Sequence, residues 1–157
     1  MCSNIDKGLL NDVVIIDLKK VFYTIDHDIL LSKLAAYGVE KLALSWFQSY
    51  LTNRRQKCFV NGQFSCISST TRGVPQGSTI GPLLFLIYIN DLPNCLNDGF
   101  LRMFADDTNI SFSSENLSDL ENAINSSLIN LNRWLIANKH SLNIAKPGSW
   151  SLVHGSA

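Results

Sequence analysis

The chain has 157 residues, of which 46% are hydrophobic, and its 13 basic residues balance 13 acidic ones. This length and a mean hydropathy of +0.09 are typical of one domain with a buried core and argue against a disordered chain. A net charge of zero gives no sign of a polyanionic partner, since proteins that bind nucleic acid by themselves usually carry a basic excess. The four cysteines lack CxxC spacing and are expected to be reduced thiols rather than zinc ligands.

The sequence contains no predicted membrane segment. The N-terminus lacks a basic region followed by a long apolar one, and the longest apolar stretch, Pro82 to Ile89, is too short to span a bilayer. We therefore expect a soluble intracellular protein, in the nucleus or the cytoplasm, with no membrane partner.

The first predicted elements place a carboxylate at the end of a strand. Residues 13–16 form a β-branched apolar run that predicts a buried strand, and Asp17 follows it directly. A helix capped by Asp28 and stopped by Gly38 is expected next. A second helical pattern begins at Leu42 and leads to the basic cluster at residues 53–57.

A β-hairpin is expected around Asn61-Gly62, because this dipeptide readily adopts the positive φ angles of a type I′ turn. In the resulting register Phe59 faces Phe64 across the two strands. Cys58 and Cys66 then point to opposite faces, which disfavours a disulfide between them.

A Gly- and Pro-rich loop, residues 72–78, precedes a predicted buried helix that starts at Pro82 and ends before Pro93. Residues 100–105 and 108–112 then read as two strands joined by a tight turn that carries Asp106 and Asp107. A long helix follows, with Ser118 and Glu121 as its capping box.

These carboxylates have the chemistry of a two-metal site. Phosphoryl transfer to a nucleotide uses two divalent ions roughly 3.5–4 Å apart, and such ions prefer carboxylate oxygens. Asp17, Asp106 and Asp107 could supply those oxygens if their strands are neighbours in one sheet. Taken alone, each of these residues is more simply explained as a turn or capping residue.

Four motifs in order resemble the reverse transcriptases of non-LTR, LINE-like retrotransposons of the jockey type. The resemblance runs from about residue 11 to residue 146 and rests on segments 17–31, 73–85, 104–107 and 134–146, the third reading Phe-Ala-Asp-Asp. It implies a polymerase palm, an α/β (α+β) fold with a small, mainly antiparallel sheet backed by helices. The expected domain covers residues 1–146, and residues 147–157 form a tail without a recognisable pattern.

The resemblance implies that Asp17, Asp106 and Asp107 bind catalytic Mg²⁺ or Mn²⁺, with the Leu18 carbonyl as a further ligand. It places Phe22 where an aromatic ring blocks the 2′-hydroxyl of a ribonucleotide, a position that a core aromatic would fill equally well. Further nucleotide and nucleic-acid contacts are implied for Gln76, Gly77, Lys146, Arg54, Arg55 and Arg72.

For these residues simpler roles remain open. An ordinary turn accounts for Gln76 and Gly77, and solvation accounts for the basic cluster and, more readily, for Arg72. For Lys146, the sequence supports two roles equally: a solvated cation and a proton donor to the leaving group.

The partners implied are an RNA template, a DNA primer and deoxynucleoside triphosphates. We expect incomplete fingers and no thumb or endonuclease, and therefore weak or absent polymerisation by this chain alone. Two other hypotheses stay open: a degenerate, non-catalytic remnant that binds RNA or a protein partner, and a metal-dependent nuclease or phosphotransferase with a coincidental Asp-Asp pair.

Overall fold

The computed structural model describes residues 9–18, 21–75, 77–104, 107–142 and 150–155. The chain divides into two compact units, one formed by Met1–Lys20 with Asn90–Ala157 and the other by Val21–Ile89. The helices are α1 (Val21–Thr24), α2 (His27–Ala36), α3 (Lys41–Leu51), α4 (Gly81–Ile89) and α5 (Leu117–Ala137), with a 3₁₀ helix at Leu92–Cys95. The strands are β1 (Leu10–Asp17), β2 (Arg54–Gln56), β3 (Phe59–Val60), β4 (Gln63–Phe64), β5 (Ser68–Thr70), β6 (Phe100–Phe104), β7 (Asp107–Ser114) and β8 (Trp150–Gly155).

A four-stranded antiparallel sheet organises the first unit, in the order β6-β7-β1-β8. In β1 the side chains of Val14 and Ile16 are 1% and 2% exposed, while those of Val13 and Ile15 are only half-buried. Helix α5 packs against β1 and β7. Its buried face carries Leu120, Ile124, Leu131, Trp134 and Leu135. The expected α/β fold with a small antiparallel sheet and packed helices is confirmed.

The second unit is built around α2 and α4, which pack against each other. Leu30 and Leu34 of α2 and Leu84 and Tyr88 of α4 are all almost fully buried. A hydrogen bond also joins the two helices: Lys33 Nζ donates to the carbonyl of Tyr88 at 2.5 Å. Helix α4 is thus the buried helix expected after Pro82, beginning one residue earlier.

Two helices are capped by residues other than those that the sequence predicts. Helix α2 is capped by Asp26, whose Oδ1 accepts from the N–H of Ile29 at 3.3 Å, and Asp28 lies inside the first turn. Helix α5 is capped by Asn116, which accepts from the N–H of Asp119 at 2.8 Å. In both cases helical geometry starts earlier than expected, so an upstream carboxylate or amide oxygen reaches the free N–H groups of the first turn.

The hairpin around Asn61-Gly62 is confirmed. Their φ angles are 51° and 78°, as a type I′ turn requires. Phe59 pairs with Phe64, and their ring centroids are 4.7 Å apart.

The cysteines at 58, 66 and 95 are free. The C-terminal region, for which the sequence predicts no element, contains β8, which pairs antiparallel with β1 from Asn11 to Ile16. No helix in the described part of the chain combines the length and the apolar composition needed to cross a membrane.

Candidate active site

The strand carrying Asp17 is paired directly with the strand that begins at Asp107. The antiparallel register of β1 and β7 makes these two residues Cα partners at the end of the ladder. Asp17 is buried, with 8% of its surface exposed. Asp106, the other carboxylate of the pair, lies outside the described residues, as do Gln76 and Lys146.

Hydrophobic alternation accounts for this register. Val14 of β1 faces Ile110 of β7, and Ile16 faces Thr108, and all four side chains are 2% exposed or less. A slip of one residue would turn Val14 and Ile16 away from the core, so the buried face specifies the pairing strongly. The position of Asp17 opposite Asp107 is therefore a consequence of core packing further along the strands.

Leu18 continues the chain beyond the end of β1. It is 3% exposed and forms an isolated antiparallel bridge with Leu142. Its backbone is thereby held next to the segment that follows α5.

In the second unit, the Gly-rich loop is tied to the segment that contains Phe22. The N–H of Val74 donates to the carbonyl of Phe22 at 2.8 Å, and the N–H of Gly73 donates to that of Ile25 at 2.7 Å. Arg72 forms a backbone bridge with Asp26. Two of the motifs that carry the family resemblance thus lie against each other, although about fifty residues separate them in the sequence.

Gly73 is the residue at which this contact is closest. A Cβ there would lie 2.8 Å from the carbonyl oxygen of Phe22 and 2.8 Å from the Cα of Tyr23, and its φ of +81° disfavours other residues. Gly77 also has a positive φ, +78°, but a Cβ there would meet no described atom within 4 Å. Gly73 is therefore the position at which the loop lies in close contact with the backbone of the Phe22 segment.

His27, which is not among the site residues predicted from the sequence, supports the same loop. Its Nε2–H donates to the carbonyl of Gly73 at 2.8 Å, and the side chain is 8% exposed. The two residues are 46 positions apart, so no local pattern could have paired them.

The ring of Phe22 is half-buried and packs on Phe85 of α4, with ring centroids 5.0 Å apart and a tilt of 45°. This contact holds the ring in place while leaving part of it exposed. The basic residues Arg55 and Arg72 are exposed, and the Arg54 guanidinium lies 5.9 Å from the ring centroid of Tyr50.

The described part of the proposed metal site is suited to a hard divalent ion. Asp17 offers carboxylate oxygens at a strand end, and Mg²⁺ and Mn²⁺ prefer oxygen ligands. Among the described residues, which leave out Asp106, no group of three acidic, histidine or cysteine side chains converges.

Comparison with known proteins identifies the family to which the chain belongs. The sequence profile described as "Reverse transcriptase (RNA-dependent DNA polymerase)" matches residues 5–148. The chain therefore belongs to the reverse transcriptase family.

The curated relatives are retrotransposon proteins. The chain is 33% identical over 143 residues to the probable RNA-directed DNA polymerase from transposon BS of Drosophila melanogaster, an alignment that covers 82% of this chain and 15% of that protein. It is 29% identical over 109 residues to the polymerase from mobile element jockey of the same species, covering 65% of this chain and 12% of that protein. The expected relation to non-LTR retrotransposons is confirmed, and the chain spans about 15% of the length of the transposon BS relative.

Solved structures with the same fold include telomerases. The apo telomerase of Candida tropicalis, truncated from its C-terminal domain, matches with a TM-score of 0.68 at 14% identity, covering 99% of this chain and 34% of that one. A telomerase of Candida albicans in complex with a fragment of telomeric RNA matches with a TM-score of 0.67, also at 14% identity, covering 99% of this chain and 29% of that one. At this identity the likeness establishes the fold.

Proposed function

We propose that this chain carries the catalytic aspartates of an RNA-directed DNA polymerase. The observation that supports this most strongly is the register that sets Asp17 opposite Asp107. Residues facing each other in an antiparallel ladder are neighbours on one face of the sheet. Asp106 adjoins Asp107 in sequence, and the three carboxylates would share that end of the sheet.

In this proposal Asp17, Asp106, Asp107 and the Leu18 carbonyl hold two Mg²⁺ ions, or Mn²⁺ in their place. The ions would supply activation of the primer 3′-hydroxyl and neutralisation of the pyrophosphate charge. The hydroxyl gives up its proton to water and its oxygen attacks the α-phosphorus of a deoxynucleoside triphosphate. The new phosphodiester bond forms as the bond to the bridging oxygen breaks, and pyrophosphate leaves. Lys146 would donate a proton to that leaving group.

Nucleotide selection is assigned to the second unit. Phe22, steadied by Phe85, would exclude a 2′-hydroxyl, and Gln76 and Gly77 would border the nucleotide and the template. The hydrogen bond between Phe22 and Val74 supports this assignment, because it joins the sugar-selecting position to the loop. Arg54, Arg55 and Arg72 would contact phosphates, which position a nucleic acid without reading its sequence.

The parent enzyme would hold its RNA template, DNA primer and nucleotide with fingers, thumb and endonuclease regions as well, acting in the nucleus or the cytoplasm. The matched relatives are several times longer than this chain. In our proposal residues 1–146 form a partial polymerase domain followed by a tail at 147–157. Because positioning supplies much of phosphoryl-transfer catalysis, we expect the chain alone to extend primers weakly or not at all.

Metal binding tests the proposal independently of turnover. Mn²⁺ titration followed by electron paramagnetic resonance should detect binding that Asp17→Asn weakens by at least about tenfold, since a carboxylate ligand is lost. Asp28→Asn removes an exposed carboxylate from α2 and should leave the affinity unchanged.

Primer extension on an RNA template, compared with an Asp106→Asn/Asp107→Asn variant, then measures any residual catalysis. Unchanged Mn²⁺ affinity in Asp17→Asn would contradict the site. Absence of Mn²⁺ binding in the unmodified chain would favour the alternative of a non-catalytic remnant.

A further inference from the structure

Although the net charge of this chain is zero, its acidic and basic residues are unevenly distributed along the sequence. Between Glu40 and Asp91 the sequence contains no acidic residue, while the same fifty-residue interval holds five cations: Lys41, Arg54, Arg55, Lys57 and Arg72. A local basic excess attracts polyanions whatever the total charge of the chain. The interval also contains the hairpin around Asn61-Gly62.

This hairpin extends into a long two-stranded ribbon, which we define as Arg54–Thr70. Strands β2 and β5 pair at its base, and β3 and β4 pair at its tip. Between the two ladders, the N–H of Ser65 donates to the carbonyl of Cys58 at 2.8 Å, which keeps the arms together. Every residue from 55 to 69 is exposed, so the ribbon contributes no side chain to the core.

Two aromatic rings lie at the tip of the ribbon. Phe59 and Phe64 are each 62% exposed although they contact each other. The ammonium group of Lys57 lies 4.0 Å from the ring centroid of Phe64. Exposed apolar side chains that contact each other and lie beside a cation form a contiguous surface patch, and such patches are typical of surfaces that meet a partner.

The base of the ribbon offers groups that bind phosphate. Arg54 and Arg55 line a small cleft of about 260 Å³ together with Asn53, Ser69, Thr70 and Thr71. Guanidinium and hydroxyl groups are common donors to phosphate oxygens.

From this arrangement we infer that the ribbon binds single-stranded nucleic acid. Unpaired bases stack on Phe59 and Phe64, while Arg54, Arg55 and Lys57 neutralise the phosphates. Aromatic faces beside a cationic track are the usual means of holding a single strand without sequence preference. A duplex keeps its bases stacked on each other and would use only the cations. The inference deepens the proposed polymerase function, since a template strand is single-stranded before it is copied, but the binding itself requires neither metal nor carboxylate.

The test is fluorescence anisotropy with a labelled twelve-nucleotide oligouridine RNA, in buffer containing EDTA and no nucleotide. Phe59→Leu/Phe64→Leu keeps the apolar surface but removes the aromatic faces, and it should weaken binding about tenfold. Arg54→Gln/Arg55→Gln/Lys57→Gln should reduce the slope of log affinity against log salt by about 2, because three phosphate contacts are lost.

The other unit supplies a matched control. Phe100 is also 62% exposed, and the Arg102 guanidinium lies 5.3 Å from its ring centroid. Phe100→Leu/Arg102→Gln therefore removes an equally exposed aromatic and cation pair, and it should leave RNA affinity unchanged. Because the buffer contains EDTA and no nucleotide, failure of the proposed metal site does not affect this test.

Several results would overturn the inference. The first is that the unmodified chain does not bind the oligonucleotide. The second is that the Phe59→Leu/Phe64→Leu variant binds as tightly as the unmodified chain. The third is that the Phe100→Leu/Arg102→Gln control loses as much affinity as the ribbon variants. If a blunt-ended duplex bound as tightly as the single strand, the ribbon would be binding only the phosphate backbone. Ribbon-dependent self-association in sedimentation, without RNA binding, would mark it as a protein contact.

Discussion

Asp17 lies directly opposite Asp107 at the end of the ladder between β1 and β7. The pairing extends through eight residue pairs, so the placement of Asp17 depends on the packing of the whole strand. The same pairs offer a direct test of the register.

Ile15 and Asn109 are Cα partners two residues away from the aspartates, and both are half-buried. Directly opposed residues in an antiparallel pair lie about 4.5–5.5 Å apart, within the range for a disulfide. In a background with the native cysteines changed to serine, Ile15→Cys/Asn109→Cys should cross-link on mild oxidation. Ile15→Cys/Ile110→Cys, shifted by one position, should not, and the opposite order of yields would refute the register. Mass spectrometry after proteolysis measures both.

Gly73 should tolerate substitution much less well than Gly77. Gly73→Ala combines a positive φ with overlap against backbone atoms of Phe22 and Tyr23, which cannot move aside as a flexible side chain can. Gly77→Ala carries only the φ penalty, about 1–2 kcal/mol. Urea unfolding should give a loss for Gly73→Ala at least about 2 kcal/mol larger. Equal losses would mean that the loop is not held against Phe22.

His27→Ala should destabilise the protein by about 1–3 kcal/mol, because the buried carbonyl of Gly73 loses its hydrogen-bond donor. His27→Gln keeps an N–H donor and should recover part of the loss. Urea unfolding of both variants measures this difference. If the two variants unfold alike, packing rather than the hydrogen bond explains the role of His27.

Leu34 and Leu42 provide a matched pair for the second unit. Leu34 on α2 is 1% exposed and Leu42 on α3 is 86% exposed. Leu34→Ala should lower the free energy of unfolding by about 2–5 kcal/mol, whereas Leu42→Ala should change it by less than about 0.5 kcal/mol. A comparable loss at Leu42 would show that the outer face of α3 is covered in solution.

Thiol reactivity should separate Cys95 from Cys58 and Cys66. Partial burial raises the pKa of Cys95, and the nearby charge of Asp91 adds to the rise against an opposing backbone hydrogen bond. A raised pKa leaves less thiolate at neutral pH, and the thiolate is the reactive form. Iodoacetamide should therefore modify the exposed Cys58 and Cys66 before Cys95, as peptide mass spectrometry can follow. Faster modification of Cys95 would contradict its burial.

Local patterns were sufficient for most of the elements. The β-branched run before Asp17 predicts β1, and Asn61-Gly62 predicts the hairpin with Phe59 opposite Phe64, because each depends on neighbours in sequence. The caps at Asp28 and Ser118 were each wrong by two residues, since several side chains near a helix start compete for the same N–H groups.

Family membership and the order of the motifs were determined by the sequence alone, since both are properties of residue types and spacing. The tertiary structure decided which distant segments meet: Asp17 with Asp107 across ninety residues, and His27 with Gly73 across 46. It also showed that Gly73 lies in close contact with backbone atoms of Phe22 and Tyr23, and that the C-terminal segment contributes β8. These contacts depend on burying the faces of the sheet and helices together, a free energy that no local stretch of sequence contains.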